Sequence, residues 1–389
     1  MTGNGAIPAD DSPSGRGLDF RASNYGRTGP AACPGPLSEH YDAALLDLDG
    51  VVYLGGNPIA GAAAALADAA QRGMKRAYVT NNASRTPHAI AAQLRGMGVA
   101  ATATDIVTSA QAAAHLLADR LPPGAPVLVV GGTGLRLAIR DSGLRPVTSA
   151  AAQPAAVVQG YSHDISYGLL AEAALAIQAG ALYVASNIDA TLPTARGPQP
   201  GNGSLAQVLI HATGCRPLVA GKPEPPLHAE SVQRVGAVRP LVVGDRLDTD
   251  IEGAVRGGAD SLLVLTGVTK PSGLLLAPPM RRPAYIAAGL NGLSASHPEV
   301  TGHDGAFRCG GWMAAAAGAA ATGGAAASGA AASARDGDRW LSVSGAGDWV
   351  DGLRALCAAA WTAGPPTGDP AAQQRAAEAA VAAIKPDQH

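Results

Sequence analysis

The chain has 389 residues, more than one hydrophobic core usually serves, so two or three folded units are expected. A formal charge of −2 without any run of Lys or Arg argues against a partner gripped by its phosphate backbone, and no nucleic acid is expected. Four scattered cysteines, Cys33, Cys215, Cys309 and Cys357, make no Cys-x-x-Cys pair, which speaks against a zinc site or disulfide scaffold and fits a reducing cytosol.

Residues 1–40 are rich in Gly, Pro, Ser and Asp and carry no apolar stretch of the kind a secretory signal needs, so a disordered extension and a cytoplasmic location are expected. Ala43 to Leu46 then reads as a buried strand, Gly61 to Arg72 as an Ala-rich amphipathic helix, Arg76 to Thr80 as a second strand and Pro87 to Met97 as a second helix. Val127 to Val130, Ala156 to Gln159, Leu182 to Ala185, Leu241 to Val243 and Leu262 to Leu265 are further strand-like runs. Strands alternating with helices argue for βαβ units on a mostly parallel sheet, an α/β fold of Rossmann-like type.

Beyond Gly302 this pattern dissolves. Ala314 to Ala334 has no charge, but its Ala, Gly, Ser and Thr composition predicts a low-complexity linker over 303–339 rather than a membrane span. Residues 340–389 form a small segment of unassigned role, in which Val350, Leu353, Leu356, Cys357 and Trp361 recur at helical spacing.

Chemistry concentrates just past the strands. Asp47-Leu48-Asp49-Gly50 closes the first one, placing two carboxylates at positions i and i+2, where an open α/β sheet binds its ligands. Thr80-Asn81-Asn82 follows the second strand and offers a hydroxyl and backbone amides. Lys222 sits in Ala220-Gly221-Lys222-Pro223, and Gly244-Asp245-Arg246-Leu247-Asp248-Thr249-Asp250 follows Leu241 to Val243. Each cluster alone has an ordinary reading: a solvated turn, an Asn turn, a surface lysine, a helix N-cap at Thr249-Asp250. Together, in order and each after a strand-like run, they supply the parts of phosphate chemistry, which asks mainly for positioning and charge neutralisation. A carboxylate attacking a phosphate dianion needs a bridging cation, and magnesium, which takes oxygen ligands, suits that task.

These four motifs resemble those of the haloacid dehalogenase superfamily of phosphohydrolases, and Asp47-x-Asp49-Gly50-Val51-x-Tyr53 resembles the opening signature of its NagD-like and 4-nitrophenyl-phosphatase-like subfamily. The resemblance covers roughly residues 41–295. It implies a core of residues 41–103 and 205–295, split by an inserted α/β cap of C2 type over 104–204. It further implies Mg2+ held by Asp47, Asp245 and the Asp49 carbonyl. Asp47 would be the nucleophile, Asp49 the acid and base, Thr80, Asn81 and Asn82 the phosphoryl holders, Lys222 the neutralising cation bound to the same phosphate, and Asp250 a residue orienting Lys222 or metal-bound water from behind.

The implied activity is hydrolysis of a small phosphate ester, glycerol phosphate first, with phosphoglycolate or an aryl phosphate such as 4-nitrophenyl phosphate as alternatives. Asn187-Ile188-Asp189 and Gly201-Asn202-Gly203-Ser204 resemble cap stretches of the subfamily, with the Gly-Asn-Gly turn expected as a hinge. The subfamily also allows a homo-oligomer through the cap; no membrane partner is expected. A non-enzymatic receiver-type phospho-acceptor shares the Asp cluster, Thr and Lys, but has no use for Asp49 or the long Thr80 to Lys222 insertion. A sugar transferase leaves Lys222 and Asp245 unexplained. Val130-Gly131-Gly132-Thr133-Gly134 lacks full Gly-x-Gly-x-x-Gly spacing and is expected to close a strand-to-helix turn.

Overall fold

The computed structural model describes residues 26–192, 196–316 and 340–384. Six parallel strands form the central sheet in the order Tyr285–Ala287, Asp260–Val264, Pro240–Gly244, Ala43–Leu46, Lys75–Thr80, Ile106–Thr108. Ala44 and Leu46 enter one apolar layer with Leu66, Tyr78 and Leu94, while Ala43 and Leu45 enter the other with Val79 and Val242. Burial on both faces is why Ala43–Leu46 shows no polar alternation. Leu46 lies opposite Val243 on one side and Tyr78 on the other. The chain therefore winds outward in both directions from Ala43–Leu46, and Asp47, Thr80 and Asp245 emerge together at the carboxyl edge of that switch point.

A second parallel sheet is inserted between the halves of the first, in the order Leu218–Val219, Leu182–Ala185, Ala156–Gln159, Pro126–Val130, Arg145–Val147. The expected limits of this unit, 104 and 204, both fall too early. Ile106–Thr108 hydrogen-bonds to Tyr78–Thr80 as the last strand of the central sheet, and Leu218–Val219 pairs with Val184–Ala185 as an edge of the second. Runs of three and two residues are too short to declare a sheet by periodicity. The Ala-rich helix Ser109–Ala118 packs in the apolar layer that joins both sheets, alongside Val127 and Val158. The Gly131 to Gly134 turn seats on the core loop after Thr80: Gly134 N donates to Ser84 O at 3.0 Å, and a Cβ on Gly134 would lie 2.6 Å from Arg85 O.

Two expected boundaries, those of the N-terminal extension and of the linker, need correction. Residues 1–25 lie outside the described residues, but 26–40 are packed: Arg27 pairs with Asp260 at 2.6 Å, Cys33 bridges to His297, and Leu37 is fully buried. Isolated anchors spaced among Gly and Pro leave no periodic signal. Likewise the expected linker starts too early, for Thr301–His303, Ala306–Cys309, Trp312–Ala316 and Leu341–Gly345 build a four-stranded antiparallel sheet; residues 317–339 are outside the described residues.

Helices Trp349–Ala363 and Pro370–Ala382 complete this third unit. Asp348 caps the first, its carboxylate accepting from Val350 N at 2.9 Å. Leu353, Leu356, Cys357 and Trp361 pack on Ile251, Leu263, Leu274 and Ile286 of the core. Arg354, only 6% exposed, donates to Asp351 at 2.5 Å and to Ile286 O at 2.6 Å across that joint. Arg354→Ala strands a carboxylate and a carbonyl and is expected to lower stability by about 3 kcal/mol. The midpoint of denaturant unfolding reads this, and an unchanged midpoint would mean the joint is purely apolar. No helix among the described residues is long and apolar enough to cross a membrane.

Candidate active site

Lys222 is the centre of the constellation. Its Nζ donates to Asp47 Oδ1 at 2.5 Å, Asp250 Oδ1 at 2.7 Å and Val79 O at 3.2 Å. Burial alone would lower the Lys222 pKa, but Asp250 and Asp47 more than offset it and hold the ammonium above the usual lysine range. Asp47 moves upward too, to about 8, because burial and the carboxylates of Asp250 and Asp245 outweigh the single ammonium. One cation serves three acids. Asp250 is fixed from both sides, its Oδ2 accepting from Arg246 N at 3.1 Å; a Cβ on Gly244 would fall 2.2 Å from its Cβ, so the strand end must be glycine for Asp250 to fold back.

Asp245 is 1% exposed, and burial with Asp250 beside it raises its pKa to about 7. Its Oδ2 accepts from Val268 N at 2.6 Å, while its buried Oδ1 has no partner among the described residues. Carboxylate oxygens of Asp47, Asp245 and Asp250 lie within 4.8 Å of one another. An orphaned acceptor beside two more carboxylates is the donor set of a hard divalent cation. Gly50, at φ +83°, keeps the space open, since a Cβ there would come 2.5 Å from Asp245 Oδ2. Among side chains the acidic trio is thus Asp47, Asp245 and Asp250; the sequence reading drew on Asp49 through its carbonyl and gave Asp250 to Lys222 or metal-bound water.

Thr80 is buried, and its Oγ1 accepts from Asn82 N at 3.1 Å. The Asn82 side-chain oxygen closes its own turn, accepting from Ser84 N and Ser84 Oγ, both at 2.9 Å. The Asn81 carboxamide binds Lys222: its Oδ1 accepts from Lys222 N at 2.9 Å and its Nδ2 donates to Lys222 O at 3.1 Å. Asp49 is exposed at the start of the Tyr53–Leu54 and Asn57–Pro58 hairpin, and partial burial raises its pKa against the pull of the Gly55 and Gly50 amides.

Sequence reasoning left Asn187 and Asp189 between two roles, facing the leaving group or capping a loop. In the structure Asn81 Nδ2 donates to Asp189 Oδ2 at 3.1 Å and Asn187 Nδ2 to Asn81 O at 2.7 Å. The Gly-Asn-Gly turn cradles this loop: Gly203 N donates to Asp189 O at 2.9 Å, and a Cβ on Gly201 would meet Asp189 O at 2.2 Å. The two glycines were signal that something passes close by, without saying what.

Residues 44–145 match the haloacid dehalogenase-like hydrolase family and residues 219–293 match its HAD-hydrolase-like companion. A D-glycerol 3-phosphate phosphatase of Mycobacterium tuberculosis is 51% identical over 257 residues, covering 66% of this chain and 72% of that one. An acid sugar phosphatase of Staphylococcus aureus is 36% identical over 233 residues, 59% of this chain and 89% of the other. The crystal structure of a glycerol phosphate phosphatase from Mycobacterium tuberculosis in complex with magnesium superposes with a TM-score of 0.73 at 43% identity, covering 88% of this chain and 98% of that one. The chain belongs to the haloacid dehalogenase-like hydrolases.

Proposed function

We propose that this protein is a magnesium-dependent phosphomonoesterase that hydrolyses glycerol phosphate through an aspartyl-phosphate. The observation that carries this reading is Lys222 Nζ bridging Asp47 and Asp250 beside Asp245 Oδ1, which has no partner among the described residues. The relatives named for glycerol phosphate, one of them with magnesium in its crystal structure, support the choice of ester and metal.

Asp47 and Asp245, with the Asp49 carbonyl that the family resemblance adds, would hold the metal while Asp250 beside them holds Lys222; the metal would supply positive charge to nucleophile and phosphate. An Asp47 oxygen attacks phosphorus, the phosphorus–oxygen bond to glycerol breaks, and the departing oxygen takes the proton of Asp49. Asp49, now a carboxylate, takes a proton from water, whose oxygen displaces Asp47 from phosphorus and frees inorganic phosphate. The raised Asp49 pKa, caused by burial, suits a group that must donate and accept. Lys222 offsets charge throughout, and Thr80 with the main chain at Asn81 and Asn82 holds the phosphoryl oxygens.

Phosphate release from glycerol phosphate and from a panel of small esters, with magnesium and with chelator, tests the proposal. Turnover restricted to the metal-containing reactions and highest for glycerol phosphate is expected; metal-independent turnover would overturn it. Gly50→Ala should raise the magnesium concentration for half-maximal rate about tenfold, by crowding Asp245 Oδ2, as disturbed ligand surroundings commonly do.

We place the cap between about residues 119 and 221, and the protein in the cytoplasm, in keeping with its four free cysteines. A homo-oligomer through the cap is supported by exposed Val208 and Leu218, the latter on an unpaired sheet edge. Sedimentation should then show a multiple of the chain mass, and Leu218→Lys should return the monomer.

A further inference from the structure

We propose that Asn81 is a positioning residue whose side chain clamps the main chain of Lys222 to the core and, through Asp189, ties the placement of that lysine to the seating of the cap. The proposal rests on the phosphohydrolase reading, which supplies the role of Lys222, but not on the identity of the ester.

The need for a clamp follows from the path of the chain. Leu218–Val219 is the edge strand of the cap sheet, and Ala220 N still donates to Ala185 O at 3.0 Å. Two residues later Lys222 has its ammonium between core acids. With no intervening linker, any shift of the cap sheet is passed straight to the Lys222 backbone. The Asn81 carboxamide meets that backbone in the manner of a strand neighbour, with one acceptor and one donor, at 2.9 and 3.1 Å. Asn81 itself follows Lys75–Thr80, a central-sheet strand, so the clamp is grounded in the core.

The same Nδ2 reaches Asp189 Oδ2, 3.1 Å away on the cap loop that Gly201 and Gly203 cradle. Asn81 O accepts from Asn187 Nδ2 at 2.7 Å and from Ser109 Oγ at 2.6 Å. Gly221 is the opening through which this happens: a Cβ there would fall 2.5 Å from Ser186 O and 2.6 Å from Asn81 Oδ1. Cap loop, core loop and lysine thus share one amide. A side chain with both polar ends committed to protein cannot also read phosphate, so its contribution to the reaction passes through Lys222.

The full chain tests this with 4-nitrophenyl phosphate and saturating magnesium. Asn81→Asp places a second carboxylate against Asp189 and loses the donor to Lys222 O, and is expected to lower kcat about a hundredfold with KM changed less than about threefold. Combining it with Asp189→Asn restores an amide–carboxylate pair with donor and acceptor exchanged, and should recover about tenfold. If Asp189 instead reads the leaving group, the exchange recovers nothing and Asp189→Asn alone changes KM for one ester and not another. That outcome overturns the proposal.

A second measurement does not depend on turnover. Hydrogen exchange at the Lys222 amide should quicken about tenfold in Asp189→Ala, which touches neither of the Asn81–Lys222 bonds. Unchanged exchange there removes the link from cap to lysine. An inactive parent enzyme with the quickened exchange would sink the phosphatase reading while leaving the clamp in place.

Discussion

Asp47→Asn is expected to abolish turnover and, in metal-free protein, to raise the melting temperature. Loss of the nucleophile should cost at least about four orders of magnitude in kcat, since the covalent step then has no attacking oxygen. Stability moves the other way because Asp47 shares Lys222 with Asp250 in a buried setting that also holds Asp245. Burial and the neighbouring carboxylates push the Asp47 carboxyl up to about 8 in the folded protein, well above its ordinary value of about 4 in the unfolded chain. Between those values the folded state binds more protons, so stability falls as pH rises through the window. An amide keeps an acceptor for Lys222 Nζ and carries no charge. The advantage of the variant in chelator should therefore grow from pH 5 to pH 8. A variant less stable than the parent at pH 8 would show that the Lys222–Asp47 attraction, rather than crowding of carboxylates, governs the site. Residual magnesium-dependent phosphate release would show that another oxygen attacks.

How much of this was readable before the fold was known depends on how far each residue's partners lie along the chain. Asp47 and Asp245 directly follow buried runs of four and five residues, long enough to announce strand ends, and a strand end in such a sheet is already an address. Asp250 was legible as a partner of Lys222 or of metal-bound water but not as one of three clustered carboxylates, because the backbone must fold back over Gly244 to bring it there. Asn82 is a local matter: its side-chain oxygen closes its own turn. Asn81 is the opposite case. Its partners, Asp189 and Lys222, come from the cap and from the far side of it, and no local pattern marks them. The third unit was hidden for another reason. Trp312–Ala316 is a strand made largely of alanine; buried Trp312 and Ala314 alternate with exposed Met313, but alanine gives little contrast between the two faces, so composition suggested a linker where the fold uses a sheet.

Lys222→Met reverses the logic of Asp47→Asn and separates charge from shape. The substitution keeps an unbranched side chain but withdraws the ammonium from Asp47 and Asp250 and the donor from Val79 O. Three acids within 4.8 Å then face one another without a cation. Breaking a buried ion pair from one side costs about 3–5 kcal/mol, and metal-free protein at pH 8 should lose that much. The loss should shrink toward pH 5, where protonation of Asp47 and Asp245, whose carboxyls burial pushes up to about 8 and about 7, relieves the crowding. Magnesium should stabilise this variant more than the parent, because it replaces the missing charge, and should stabilise Asp47→Asn less, because a ligand is gone. Turnover at saturating metal should nevertheless stay about two to three orders of magnitude below the parent, as the fixed positive charge beside phosphorus is not restored. Melting curves against magnesium concentration for the three proteins give the comparison directly. Equal shifts in all of them would place the metal elsewhere than among Asp47, Asp245 and Asp250.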